Sequence, residues 1–442
     1  MKVLKKILKI AGIALLSLIL LAFIIPIVFK KQVQTLVKRE INKQLNATVN
    51  FKDVKLSLFK HFPQATISIK GLSIIGKGEY AKDTLIAAEK LDVTAGLFSV
   101  LKGKNIKVQG IYAQSPRIHL IMNQFGRANW DIAKAPTDTS NSKDTSASNF
   151  KLSLKKYKIS DGYLVYSDKQ ANSYLELNNL NHQGSGNLAA DVFTLSTSTE
   201  SPSAWYTQDE IPYLINTKTD LDADIKIDTR TNTYTFKTDD VKLNDLKLSV
   251  DGFVQLLNGG AVKTDIKFSS PTNNFKNILS MIPAVYTKDF ANIKTSGDAS
   301  FNGFVKGISS KDQMPGYDIN LVVKNGSFQY PDLPKTVKNI NLTLRAVNPD
   351  GKPDNSVIDI PKGHIEFDNE PFDFNFTYKN PETIQYIDAG AKGKLDLSQL
   401  SKFIKLDAGT KLSGQLWADA FCERPFESIA ARIRIFHCRR VS

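Results

Sequence analysis

The side chains best suited to chemistry are few in this chain and stand far apart. Its five histidines are His61, His119, His182, His364 and His437, and none has a second ligand type at metal-binding spacing. An imidazole can hold a metal or move a proton, but either task needs partner groups that converge on it. His119 sits between Ile118 and Leu120 and reads as the polar-face position of an alternating strand. Asp161, in SDGYLVYSD, stands out as a carboxylate next to Gly162, and Asp-Gly is equally a turn pair between strands, which is the reading adopted. The chain has no glycine-rich phosphate cradle, no H-E-x-x-H, no G-x-S-x-G and no C-x-x-C. Both cysteines, Cys422 and Cys438, fall near the end, so residues 1–421 can form no disulfide and no thiolate metal site. No catalytic, cofactor-binding or metal-ligating residue can be nominated, and the expectation is a protein that is not an enzyme.

What the chain does carry is pattern. Ile10 to Phe29 is an uncharged run of twenty residues, fourteen of them Leu, Ile, Val or Phe. Such side chains favour insertion by about 0.3–0.6 kcal/mol each, and twenty helical residues span about 30 Å, the thickness of a hydrocarbon core. The run is too long for the core of a signal peptide, and no A-x-A-like site precedes Lys30 and Lys31. A membrane anchor over residues 1–31 is expected. Flanking lysines nearly balance across it, so charge alone orients it poorly. Val33, Leu36, Val37, Ile41 and Leu45 then follow at helical spacing.

From Val49 the period changes to two. Val54, Leu56 and Leu58 alternate with polar residues, as do Ile67 and Ile69, Ile118 and Leu120, Ile225 and Ile227, Ile319, Leu321 and Val323, and Phe372, Phe374 and Phe376. Half-buried antiparallel strands need this alternation, with one face apolar and the other in water. About twenty strands are expected and few helices, with helical interruptions near Phe275–Val285 and Leu397–Ile404. Residues 134–149, rich in Ser, Thr and Asp with no large apolar side chain, read as a linker or long loop.

The net charge of +14 suggests nucleic acid until it is located. Residues 1–40 contribute +7 and the last 22 contribute +3, which leaves +4 for the long middle. A nucleic-acid binder concentrates charge on its folded body, so that class of partner is set aside.

The block LFSVLKGKNIKVQGIYAQSPRIHLIMNQFGRANWDI at 97–132 closely resembles the AsmA family of bacterial envelope proteins. Its pattern is Leu-x-Gly-x-x-Ile-x-Val-x-Gly-Ile, then Pro-x-Ile-x-Leu, then Asn-x-x-Gly-x-x-Asn-Trp-Asp. KLSLFKHFPQATISIKGLSI at 55–74, KISDGYLVYSD at 158–168 and NGSFQYPDLPKTVKNIN at 325–341 support the likeness, and the lysine-rich form resembles the Bacteroidetes type. The resemblance implies a single-pass inner-membrane protein with its body in the periplasm, linked to outer-membrane assembly and to the targeting of membrane proteins. It further implies kinship with bridge-like lipid carriers, in which a curved sheet forms an open gutter for acyl chains.

The expected fold is mainly β: a transmembrane helix, then an elongated, curved antiparallel sheet with an open groove and a few short helices. The expected divisions are an anchor at 1–31, an N-terminal β domain at 32–133, the linker at 134–149 and a continuing groove region at 150–420. Residues 421–442 read as a foreign, frameshifted basic tail, because five of the chain's ten arginines and both cysteines fall there. The expected partners are membrane phospholipid and outer-membrane assembly proteins. A scaffold without lipid cargo is the second reading, and a periplasmic enzyme acting on glycan is the third. Alternation defines two faces without saying which one meets cargo, so no lipid-contacting residue is assigned.

Overall fold

The computed structural model describes residues 28, 31, 32, 35, 45–98, 106–132, 150–208, 210–257, 260–270, 273–279, 293–310, 313–330, 333–400, 402, 403 and 414–425. Most of the anchor at 1–31 and of the helical spacing at 33–45, the whole linker at 134–149 and most of the tail lie outside the described residues. Among the described residues, no helix is long and apolar enough to cross a membrane.

The protein is mainly β, and its chain separates into two compact units, residues 1–218 and 219–442. The first carries β1 (Thr48–Asn50), β2 (Asp53–His61), β3 (Gln64–Ile75), β4 (Thr84–Gly96), β5 (Ile106–Gln114), β6 (Arg117–Met122), β7 (Phe150–Asp168), β8 (Ser173–Ser185) and β9 (Val192–Gln208). β1 and β2 share β3 as partner, and β5 and β6 both lie between β4 and β7. The antiparallel expectation needs correcting here, because β7 pairs in parallel with both β5 and β6. Parallel neighbours need a long crossover, and residues 123–149 supply one. The strands on either side of that crossover therefore share one sheet.

β10 (Ile211–Asp228) contains the division between the units. The second unit continues as an antiparallel succession: β11 (Thr233–Leu243), β12 (Leu246–Leu256), β13 (Val262–Ser269), β14 (Asn273–Asn274), β15 (Lys294–Ser309), β16 (Gly316–Gln329), β17 (Val337–Asn348), β18 (Val357–Phe367), β19 (Glu370–Lys379), β20 (Tyr386–Asp396) and β21 (Gln415–Pro425). Among the described residues two short α-helices interrupt it, α1 (Phe275–Leu279) and α2 (Leu397–Leu400). β21 stays paired with β20 as far as Pro425 opposite Tyr386, so pairing continues past Phe421.

Local chemistry explains the tight connections. Between β18 and β19 only Asp368 and Asn369 separate the partners Phe367 and Glu370, and their φ values are 54° and 65°. Two successive positive φ angles match the right-handed twist of a hairpin, and Asp and Asn tolerate them best after glycine. Elsewhere the same preference makes bulges inside strands. Asn179, Asn325 and Asn339 take φ near 50° within β8, β16 and β17, and Gly297 takes 98° within β15. A Cβ at Gly297 would lie 2.4 Å from the carbonyl oxygen of Asn325, so the bare backbone is required there. Asp161 belongs to this class as well. With φ of 52° it marks a bulge inside β7, where the register shifts between Ile159 and Gly162, and the turn expected at Asp161-Gly162 is not a turn.

Each unit buries one apolar cluster. In the first, Val54, Leu56, Leu58, Ala65, Ile67, Ile69, Leu72, Ala88 and Ala95 form it. In the second, Phe275 and Ile278 of α1 and Phe403 pack over Leu246, Ala299, Val323, Val337 and Ile340.

Candidate functional site

Strand register decides which side chains share a face, and it sorts the second unit cleanly. Phe268, Gly303, Ile319, Ala346, Ile358 and Tyr378 stand opposite one another in turn across β13, β15, β16, β17, β18 and β19. Val250 on β12 and Ile387 on β20 extend this row at either end. None of the eight is buried, and Ile358 keeps 39% of its surface exposed. Gly303 lets the row pack closely, because a Cβ there would meet the Phe268 ring at 2.9 Å and the Asp318 carbonyl oxygen at 2.5 Å. Rows through Phe301 and Val305 flank it on the same face of β15, both half-exposed. Eight strands at about 4.8 Å and three alternate positions at about 6.7 Å describe a patch of roughly 34 by 13 Å. That is on the order of 450 Å², within the range of the largest apolar patch on an ordinary monomer. Among the described residues only the end near α1 is roofed, by Phe275, Ile278 and Phe403.

The opposite face has a different composition. Asp265 faces Lys306 at 2.9 Å, Lys242 faces Asp220 at 3.2 Å, and Arg345 makes a two-pronged contact with Asp318 at 2.6 and 3.0 Å. The Arg345 guanidinium holds the Asp318 carboxyl below the usual carboxylate range. Directly opposed unlike charges suit an antiparallel pair, although exposed ones add little stability. Their main consequence is to keep this face in water.

The first unit repeats the division. Val49, Ile74, Ile86, Ile118, Leu164 and Leu177 line up across β1, β3, β4, β6, β7 and β8, all half-exposed, and the row ends on the buried Ala204. Behind β3 and β4 lies a polar cluster. Asp92, 5% exposed, accepts a hydrogen bond from Ser68 Oγ at 2.5 Å and another from Lys60. Burial disfavours the Lys60 ammonium, but the Asp92 carboxylate more than offsets this and raises its pKa. Lys90, pressed against Lys60, is held below the usual lysine value.

The histidines do not converge. His61 bonds Thr66 Oγ1 at 3.0 Å and stacks on Tyr112 with centroids 4.4 Å apart. His182 lies between Tyr157 Oη at 3.0 Å and Thr199 Oγ1 at 2.8 Å, and burial lowers its pKa. His364 pairs with Asp373 at 2.8 Å. His119 lies edge-on to Tyr163, and its buried Nε2 has no hydrogen-bond partner among the described residues. His437 lies outside them. Among the described residues no group of three His, Cys, Asp or Glu could hold a metal.

The Asn-x-x-Gly-x-x-Asn-Trp-Asp segment proves to be architecture. Asn123 Oδ1 accepts from the Phe125 and Arg127 amides at 2.9 and 3.0 Å. Asn129, 2% exposed, accepts from the Ile121 amide at 2.9 Å and donates to the His119 carbonyl at 2.8 Å, so its amide serves β6 as a substitute strand. Trp130 rests against Tyr166 with centroids 6.0 Å apart.

The AsmA family model matches residues 4–290, about two-thirds of the chain. The chain belongs to the AsmA family. No curated protein and no solved structure matches it. Membership associates it with the bacterial envelope and with outer-membrane assembly, in a family not known for catalysis. In this AsmA-family chain the sequence motif that carries the resemblance closes off β6, whereas the candidate surface is the apolar face. Sequence reading could not select that face. Its signal is the combination of register and exposure, which only the paired strands reveal.

Proposed function

We propose that this AsmA-family protein is tethered in the inner membrane by residues 1–31 and carries phospholipid along its apolar sheet face in the periplasm, in support of outer-membrane assembly. The observation that carries this reading is the half-exposed row through Phe268, Ile319, Ala346, Ile358 and Tyr378, which no second layer covers among the described residues. An acyl chain laid on such a face with half its surface covered recovers about 0.4 kcal/mol per methylene, half the value for full burial. No hydrogen-bonding geometry is needed, so the chain can slide from row to row at little cost. The polar headgroup stays in solvent, beyond the edge of the apolar strip.

Organic extraction of the purified full-length protein followed by mass spectrometry is expected to release phospholipid at near-stoichiometric or higher ratio. Protein that is folded, washed and free of lipid, yet still required for envelope integrity, would favour the scaffold reading.

A further inference from the structure

At the rim of the first unit, two loops frame a cavity of about 730 Å³, within the size range of small-molecule sites. Gly78–Tyr80, in the connection from β3 to β4, lies on one side, and residues 126–131, beyond β6, lie on the other. Tyr80 Oη donates to the Arg127 carbonyl oxygen at 2.8 Å, and Asn123 Nδ2 donates to Glu79 Oε2 at 2.9 Å, so the loops hold each other in place.

The lining carries both signs of charge. Lys77 and Arg127 supply cations, Glu79 and Asp131 supply carboxylates, and Trp130 supplies an indole with 36% of its surface exposed. Arg127 Nη1 lies 3.7 Å from Glu79 Oε1, too far for a hydrogen bond, and the Arg127 side chain keeps 73% of its surface exposed. Lys77 and Asp131 make no side-chain hydrogen bond or ion pair among the described residues. A ligand with one charge of each sign finds an unspent partner for each.

The cavity also abuts the apolar face. Trp130, in its wall, rests against Tyr166, and Tyr166 stands in register with Leu120 and Leu175. These three half-exposed residues lie one alternate position, about 6.7 Å, beyond Ile118, Leu164 and Leu177 of the first unit's row. A molecule with its oily chain on that row brings its polar end to the cavity.

We propose that this cavity seats the headgroup of a zwitterionic aminophospholipid. Lys77 and Arg127 meet the phosphate, Glu79 and Asp131 meet the ammonium, and Trp130 lies beside the glycerol, where polar and apolar parts join. The proposal deepens the lipid carriage stated under the proposed function and rests on it. Phosphatidylglycerol offers the phosphate without the ammonium, so it leaves both carboxylates uncompensated.

The test places a photoreactive phenylalanine analogue at Trp130 or, separately, at Val305 of the second unit, in full-length protein mixed with vesicles of equal phosphatidylethanolamine and phosphatidylglycerol. At 130, crosslinked phosphatidylethanolamine is expected to exceed phosphatidylglycerol by about threefold or more, a preference in keeping with exposed ion pairs. Glu79→Gln together with Asp131→Asn is expected to bring the two lipids to parity while leaving the adduct at 305 unchanged. Both carboxylates are exposed, and glutamine keeps the oxygen that Asn123 bonds, so the fold tolerates the change. Lys77→Gln together with Arg127→Gln is expected to reduce adducts of both lipids at 130. Three results overturn the headgroup site and leave lipid carriage standing: adduct at 305 with none at 130, adduct at 130 with no phosphatidylethanolamine preference, or a preference that survives loss of the two carboxylates. Adduct at neither position strikes carriage itself, and the site with it.

Discussion

A glutamate at Ile319 is expected to cut the phospholipid that co-purifies with the protein by about tenfold, equivalent to about 1.4 kcal/mol of binding. Ile319 lies at the centre of the row, with Gly303 and Ala346 as its cross-strand neighbours. In the lipid-free protein its side chain is half-exposed, so a carboxylate there remains hydrated and the fold tolerates it. Once an acyl chain lies over that position, the carboxylate must give up water with no partner in return, at a cost of several kcal/mol unless the lipid moves aside. Thr343→Glu is the matched control: it adds the same charge at an exposed position of β17 on the other face, beside Leu342 and Leu344. Its lipid content is expected to equal that of the unmodified protein, as read by the same extraction and mass spectrometry.

The second large effect concerns stability and separates the roofed end of the face from the open remainder. Leu246→Ala removes a side chain with no exposed surface from the cluster beneath α1 and is expected to cost about 2–5 kcal/mol. Ile319→Ala, half-exposed on the same sheet face, is expected to cost on the order of 1 kcal/mol, because less area returns to water and no sealed cavity forms. Denaturant midpoints of lipid-stripped protein check the contrast. Equal costs at the two positions would mean that something covers Ile319 as completely as α1 and Phe403 cover Leu246.

Much of this was legible before any coordinates. Alternation at Ile319, Leu321 and Val323 or at Phe372, Phe374 and Phe376 is a local signal, and strands lie at both places. Helical spacing at Phe275 and Leu397 likewise marked the starts of α1 and α2. The parallel placement of β7 was not legible, because pairing partners are chosen by long-range closure and not by the strand's own residues. Nor were the bulges at Asn179, Asn325 and Asn339. An asparagine with positive φ looks the same in sequence whether it turns the chain or only shifts its register by a residue, as Asp161 demonstrates. The candidate surface was half legible. Alternation established that an apolar face exists, but whether it meets a second layer depends on residues far away in sequence, and only exposure at paired positions answers that.

The central claim is that lipid lies on one named face of the second unit, and site-specific photo-crosslinking along β15 addresses it most directly. A photoreactive phenylalanine analogue would be placed singly at Phe301, Asn302, Phe304 and Val305 of the full-length protein, and crosslinked phospholipid identified by mass spectrometry. Adduct is predicted at 301 and 305 and not at 302 or 304. Phe304 is the stringent control, since it is apolar and 40% exposed but points to the charged side. Adduct at 304 as abundant as at 305, or none at 301 and 305, would contradict the account.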